Sequence, residues 1–179
     1  MCSYKRAQVF LFFEKSDEAQ STGDSWLSKV WNHPLSPIPD AVYINLSATG
    51  AFVGGGGVDV GVAVPLKGSN AFNFYLYRTF KFKLGAHVSV GANLGIAKYL
   101  GDLNNFDFVS TFGGKSAGIE GDYSFLGAGV WNSSTDKYGG VLFGEDVGIG
   151  AGIGGSTTSA DTWLKQIPSP IDPILWLFK

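Results

Sequence analysis

Apolar and polar residues alternate along the middle of the chain. From Val42 to Phe52 every second residue is apolar or glycine, and the residues between them are mostly polar. The same alternation recurs over 58–64, 72–84 and 88–96. Because successive side chains of a β-strand point to opposite faces, this period of two predicts strands with one bulky face and one small or polar face.

Further strands are predicted at about 106–113, 116–131, 138–145 and 147–158, with turns at 54–57 and 65–70. The chain is therefore predicted to be all-β, with about eight antiparallel strands joined in sequence as a meander. A closed barrel is favoured over a two-sheet sandwich, because closure removes exposed strand edges.

Glycine divides the chain into three regions. All 26 glycines except Gly23 lie between Gly50 and Gly155, whereas six of the seven prolines lie outside that interval. We predict an N-terminal segment over 1–40, a glycine-rich β domain over 41–158 and a proline-rich tail over 159–179, together forming one structural domain. Glycine weakens a strand, so its repetition implies tight curvature or close approach of another group.

Short helices are predicted to flank the β domain. In the N-terminal segment, Asp24 is a plausible N-cap for a helix that carries Trp26 and Trp31 on one face and ends before Pro34. Trp163 begins a loosely similar arrangement in the tail. Such helices would fit as plugs at the ends of a β body.

Composition narrows the function. Charged residues make up 16% of the chain against about a quarter in a typical soluble domain, and aromatic residues reach 15%. This balance favours an apolar partner or a membrane. The net charge of −2 argues against nucleic-acid binding. Cys2 is the only cysteine, which excludes an intrachain disulfide, and the first fifteen residues predict no Sec signal.

Catalytic patterns are weak. Gly114–Gly118 matches G-x-S-x-G, but the alternation predicts that a strand, not the required helix, follows Ser116. Glu120 and Asp122 share a strand face about 7 Å apart, which suits acid–base chemistry, although solvent-facing residues explain them more simply. Together with His87 they are the first residues to mutate if the protein is an enzyme. An enzyme is the least favoured of the three classes of function.

Metal and cofactor signals are also weak. His33 and His87 are the only histidines, which precludes a multi-histidine site. Asp102, Asn104 and Asp107 could offer oxygen ligands, but a solvated turn explains them better. No metal or cofactor is predicted.

Six residues are predicted to contact a ligand or a membrane. Arg78, Lys81 and Lys83 alternate with aromatic residues, which suits anionic lipid, although lysines guarding an edge strand would explain them without a ligand. The other three residues are His87 on the small polar face and the two helical tryptophans, Trp26 and Trp31.

The segment 147–155 alternates glycine with apolar residues and, as a strand of about nine residues, is long enough to cross a bilayer. The missing export signal and the missing C-terminal aromatic residue nevertheless favour a soluble barrel or sandwich over an inserted one.

Residues 38–43 lead into glycine-patterned strands, and these strands end at residues 150–156. This arrangement resembles the glycine-rich C-terminal domains of Rhs-type polymorphic toxins. The junction motif that precedes such domains is missing here. The resemblance implies a bacterial effector that a specialised secretion machine delivers, and a cognate immunity protein as partner.

Two hypotheses of function follow. The first is a non-enzymatic, toxin-like effector that acts on or at membranes. The second is a soluble barrel that binds a small apolar ligand in its lumen, or a structural or interaction domain.

Overall fold

A computed structural model describes Ser36 and residues 38–168. The predicted helix that carries Trp26 and Trp31 lies outside these residues, as do residues 169–179 of the predicted tail. The short helix predicted to begin at Trp163 is wrong, because Trp163 lies in a β-strand. Within the described part of the chain, no helix has the length and apolar character needed to cross a membrane.

The structure is all-β, as predicted, but it contains one sheet of four long antiparallel strands. These are β1 (Ala41–Pro65), β2 (Phe74–Leu100), β3 (Gly114–Ser133) and β4 (Val141–Ile167). Their order is β1-β2-β4-β3, and β1 and β3 form the two edges. The predictions of eight strands and of a closed barrel are therefore wrong.

Each strand bends near its middle instead of ending there. Residues with positive φ mark the bend: Val53 in β1, Gly85 in β2, Ser124 in β3 and Gly154 in β4. Val53 pairs with Gly85 across the sheet, so the bends line up and pairing continues through them. The predicted turn at 54–57 is thus a continuation of β1, and pairs of predicted strands merge into β2 and into β4.

The bend folds the sheet over on itself. A Cβ on Gly61 would collide with Ile44 and Asn45 of the same strand. Seventeen residues separate Gly61 from Ile44, which in a straight strand would be about 56 Å. In β3, a Cβ on Gly118 would likewise lie 2.9 Å from the Cβ of Trp131. The fold gives the sheet an inner face, where its halves meet, and an outer face.

Residues predicted as the strand 106–113 form helical turns instead. A 3-10 turn (Leu103–Asn105) precedes the helix α1 (Phe108–Phe112). Each has an aspartate N-cap: Asp102 accepts from the Asn104 amide and Asp107 from the Val109 amide. The described residues hold no group of three or more side chains arranged for a metal.

Aromatic residues fill the end of the fold opposite the bend. Tyr43 packs edge-on against Phe112 of α1, with ring centres 5.6 Å apart, and Phe112 packs against Trp131 at 5.5 Å. Tyr77 and Phe108 join the same cluster. This core anchors α1 and closes the open end of the folded sheet.

Away from the aromatic end, the inner face is polar and the outer face is apolar. The inner face buries polar side chains, among them Lys83 and His87 at 0% and 1% exposure. The outer face exposes apolar ones, among them Ile44, Leu46, Val88, Val90, Leu94, Val147, Ile149 and Ile153. The period of two predicted this segregation, and the fold places the polar side inside.

Replacing an inner glycine should test the fold. A Cβ on Gly61 would run into the Ile44 carbonyl and lie 2.8 Å from the Cβ of Asn45 across the fold, whereas a Cβ on Gly50 meets nothing within 4 Å. We expect Gly61→Ala to lower the free energy of unfolding by about 1–3 kcal/mol, in the range of overpacking. Gly50→Ala, the matched control, should leave it unchanged or raise it slightly. Equal effects in urea unfolding would contradict the folded sheet.

Candidate functional site

A network of ion pairs occupies the inner face. The Nζ of Lys83 lies 2.7 Å from the Oε2 of Glu120, and the Nζ of Lys81 lies 2.7 Å from the Oδ2 of Asp59. Lys81 also approaches Glu120 at 3.5 Å. Asp59 comes from β1, the lysines from β2 and Glu120 from β3, so the network joins strands that are distant in sequence.

The network favours the charged forms of Glu120 and Lys81. Burial alone would raise the pKa of Glu120, but attraction to Lys81 and hydrogen bonds from Lys83 and Thr158 outweigh it and lower the pKa to about 2. Burial would lower the pKa of Lys81, but Asp59 and Glu120 raise it above its usual value. For Lys83, burial prevails over pairing with Glu120, and its pKa is lowered.

His87 extends the network toward the bend. Its Nε2 contacts the Oδ2 of Asp122, and its Nδ1 lies 3.1 Å from the Oγ of Ser156 and 3.0 Å from the Nζ of Lys83. The prediction that His87 lies on the small polar face is confirmed. The solvent-facing placement predicted for Glu120 and Asp122 is wrong, because the fold turns both toward the inner face.

Ser156, His87 and Asp122 are the residue types of a catalytic triad. The Lys83 ammonium, however, donates to the same Nδ1 that a serine nucleophile would need as its base. Ser156 is also buried, at 8% exposure, between paired strands. Such a serine offers no approach to a substrate carbonyl, so the three side chains act as a buried hydrogen-bond network.

A second polar group lies between the ion pairs and the aromatic core. The Tyr43 hydroxyl donates to Asp146 at 3.1 Å and accepts from the Trp131 indole at 2.7 Å. The Tyr77 hydroxyl accepts from Asn45 at 3.0 Å. Burial raises the pKa of Asp146, of Tyr43 and of Tyr77. The cavity between the two groups measures only about 70 Å³.

The predicted contact residues divide between the two faces. Arg78 points outward, with its guanidinium carbon 5.7 Å from the ring centre of Trp163. Lys81, Lys83 and His87 belong to the inner network. The alternative of an edge strand guarded by lysines is wrong, because β2 pairs on both sides. Trp26 and Trp31 lie outside the described residues.

The outer face carries an open apolar groove of about 810 Å³ near the bend. Leu94 of β2, Tyr123 and Leu126 of β3 and Val147 of β4 are among the residues that line it. Nearly all of its lining is apolar, in contrast to the interior cavity. It is continuous with the exposed apolar outer face.

The sequence reasoning missed several network residues. Asp59, Asp146 and Ser156 were not singled out, although each falls on the small polar side of its strand by the period of two. The alternation of side chains between the two faces of a strand was therefore the signal that could have identified them. It identifies which residues share a face, but it does not give the strand order and register that bring Asp59 of β1 to the same cluster as Glu120 of β3.

Comparison with family models, curated proteins and solved structures finds no match to this chain. The fold and the polarity of its faces therefore carry the functional argument. The resemblance to the C-terminal domains of Rhs-type toxins stays a prediction.

Removing the carboxylate of Glu120 should deprive the ammonium groups of Lys81 and Lys83 of an ion-pair partner. We expect Glu120→Gln to lower the free energy of unfolding by about 3 kcal/mol, as for other broken buried pairs. Glu145→Gln is the matched control, because Glu145 lies exposed on the outer side of β4. Urea unfolding measures both. An equal, small effect of the two substitutions would contradict the network.

The depressed pKa of Glu120 also predicts acid sensitivity. A carboxylate whose pKa falls from 4.5 to about 2 on folding stabilises the fold fully above its unfolded pKa. This contribution is lost as the pH falls from about 5 toward 2. Unfolding measured across this range should show a smaller loss of stability in Glu120→Gln than in the wild type. Parallel curves would show that Glu120 does not carry the effect.

Proposed function

We propose that this β domain acts at a membrane, with its apolar outer face against lipid. One observation carries the proposal: apolar side chains are exposed on the outer face of every strand while the charged network is buried inside. Soluble proteins do expose single apolar residues, but contiguous apolar surface on this scale marks an interaction site.

The inner network supports lipid as the partner. Isolated charges are costly in hydrocarbon, and the inner face pairs lysine with carboxylate away from the outer surface. Outward apolar and inward polar residues in alternation are the pattern of β-sheets in lipid. Pairing on both sides of β2 and β4 satisfies the backbone groups of these two inner strands, as lipid requires, while β1 and β3 are the edges of the sheet.

The second hypothesis, an apolar ligand in the lumen, has less support. Small-molecule sites usually measure about 300–1,000 Å³ and are mostly apolar, whereas the interior cavity is about 70 Å³ and bordered by Asp59, Glu120 and Asp146. The membrane proposal agrees with a toxin-like effector. The resemblance to Rhs-type toxins implies that a secretion machine delivers the protein and that an immunity protein is its partner. Both are part of this proposal.

Vesicle flotation tests the proposal. We expect the purified protein to float with phosphatidylcholine–phosphatidylglycerol vesicles and to release an entrapped dye. The variant Val90→Glu with Ile149→Glu adds two charges to the outer face and should abolish both effects. As the matched control, Ser134→Glu with Thr135→Glu adds the same charges to the exposed loop after β3 and should retain them. Wild-type protein that stays unbound would overturn the proposal.

A further inference from the structure

The bend is the most apolar end of the described fold. Around the positive-φ residues, the outer face presents Phe52, Val53, Tyr123, Phe125 and Ile153, which we call the apolar tip. Phe52 and Tyr123 are 87% and 82% exposed. These side chains project from all the strands except β2, and the groove beside Tyr123 continues the same surface.

Outward charges begin only some distance from the bend. The outer faces of β2, β3 and β4 carry the charges that we call the charged belt, namely Arg78, Lys115, Glu145, Asp161 and Lys165, and the outer face of β1 carries none. Within the described residues, Arg78 and Asp161 are the members of the belt closest to the bend, each seven positions away. Register brings four of the belt residues together in one half of the sheet, because Arg78 pairs with Trp163, between Asp161 and Lys165, and Asp161 pairs with Lys115. Glu145 lies in the other half.

Between tip and belt, the outward polar side chains are hydroxyls. Thr157 and Ser159 of β4 are the clearest cases, and the Thr157 hydroxyl donates to the Leu84 carbonyl at 3.4 Å. Hydroxyls cost far less to bring into hydrocarbon than charges do. The surface therefore changes from apolar to charged along the strand axis.

We propose that the bend enters the bilayer first and that the charged belt stays at the headgroups and sets the depth. This inference rests on the proposed membrane function and adds an orientation to it. Seven residues of strand measure about 23 Å, and less when the strand is tilted. The hydrocarbon core is about 30 Å thick. The tip thus passes the middle of the bilayer without crossing it.

Two further observations fit this orientation. At the bend, Gly85 of β2 pairs with Val53 of β1 on one side and with Ser156 of β4 on the other. The backbone of β2 therefore remains paired at the inserted end. Trp163 stacks with Arg78 within the belt. An amphipathic aromatic residue beside a cation is typical of membrane–water interfaces.

Depth-dependent quenching tests the orientation. In a Cys2→Ser background, an environment-sensitive fluorophore is attached at Phe52→Cys in the tip or at Leu100→Cys beyond the belt. Both parent residues are exposed apolar side chains of the sheet. With phosphatidylcholine–phosphatidylglycerol vesicles, we expect position 52 to be quenched by lipids labelled near the bilayer centre and position 100 to remain in water.

The outcomes separate the two proposals. Equal quenching at both positions, or quenching at position 100 alone, would overturn the orientation while the membrane function stands. Protein that floats with vesicles but keeps position 52 in water would do the same. Protein that does not float at all would overturn the proposed function itself.

Charge substitutions provide a second test. Phe52→Asp should weaken vesicle binding roughly tenfold or more, because a charge deep in the bilayer is costly. Leu100→Asp, the matched control, should leave binding within about twofold of wild type, because position 100 stays in water and the substitution costs no transfer into hydrocarbon. Circular dichroism checks that both variants fold. Equal losses in two folded variants would contradict insertion by the tip.

Discussion

The ion pair between Lys83 and Glu120 is the contact on which the rest of the fold depends. A lysine that is fully buried must have a partner, because an unpaired ammonium in the interior is very costly. Its partner lies on β3, two strands away from β2 in the sheet. The register places both residues in the same half of the sheet, where their side chains meet across Thr158 of β4. Placing these charges inside leaves the apolar side chains of the same strands on the outside.

Much of the fold follows from alternation along the chain. The period of two identified strand residues such as Val42–Phe52 and their two faces, because side chains of a strand alternate regardless of partner. It failed at the glycine run 54–57, where glycine fits a turn as well as a bent strand. It also failed at 106–113, where Asp107 caps a short helix that alternation alone does not distinguish from a strand.

The site was harder to predict. His87 was correctly assigned to the small polar face, but alternation does not say which face is buried. The usual expectation places apolar residues inside, which leaves Lys81, Lys83 and Glu120 facing solvent or an edge. Their pairing depends on the strand order β1-β2-β4-β3 and on the register between the strands, and neither is a local property of the sequence.

The polarity of the two faces can be measured directly by thiol labelling of neighbouring positions. Val88 and Ser89 are consecutive in β2 and point to opposite faces. Single cysteines at these positions in a Cys2→Ser background therefore lie at the same place along the strand and differ in the face to which they point. We expect position 88 to react rapidly with a polar maleimide in solution and position 89 to react many times more slowly. Rapid labelling at 89 with protection at 88 would mean that the apolar face is inside, and would contradict this account.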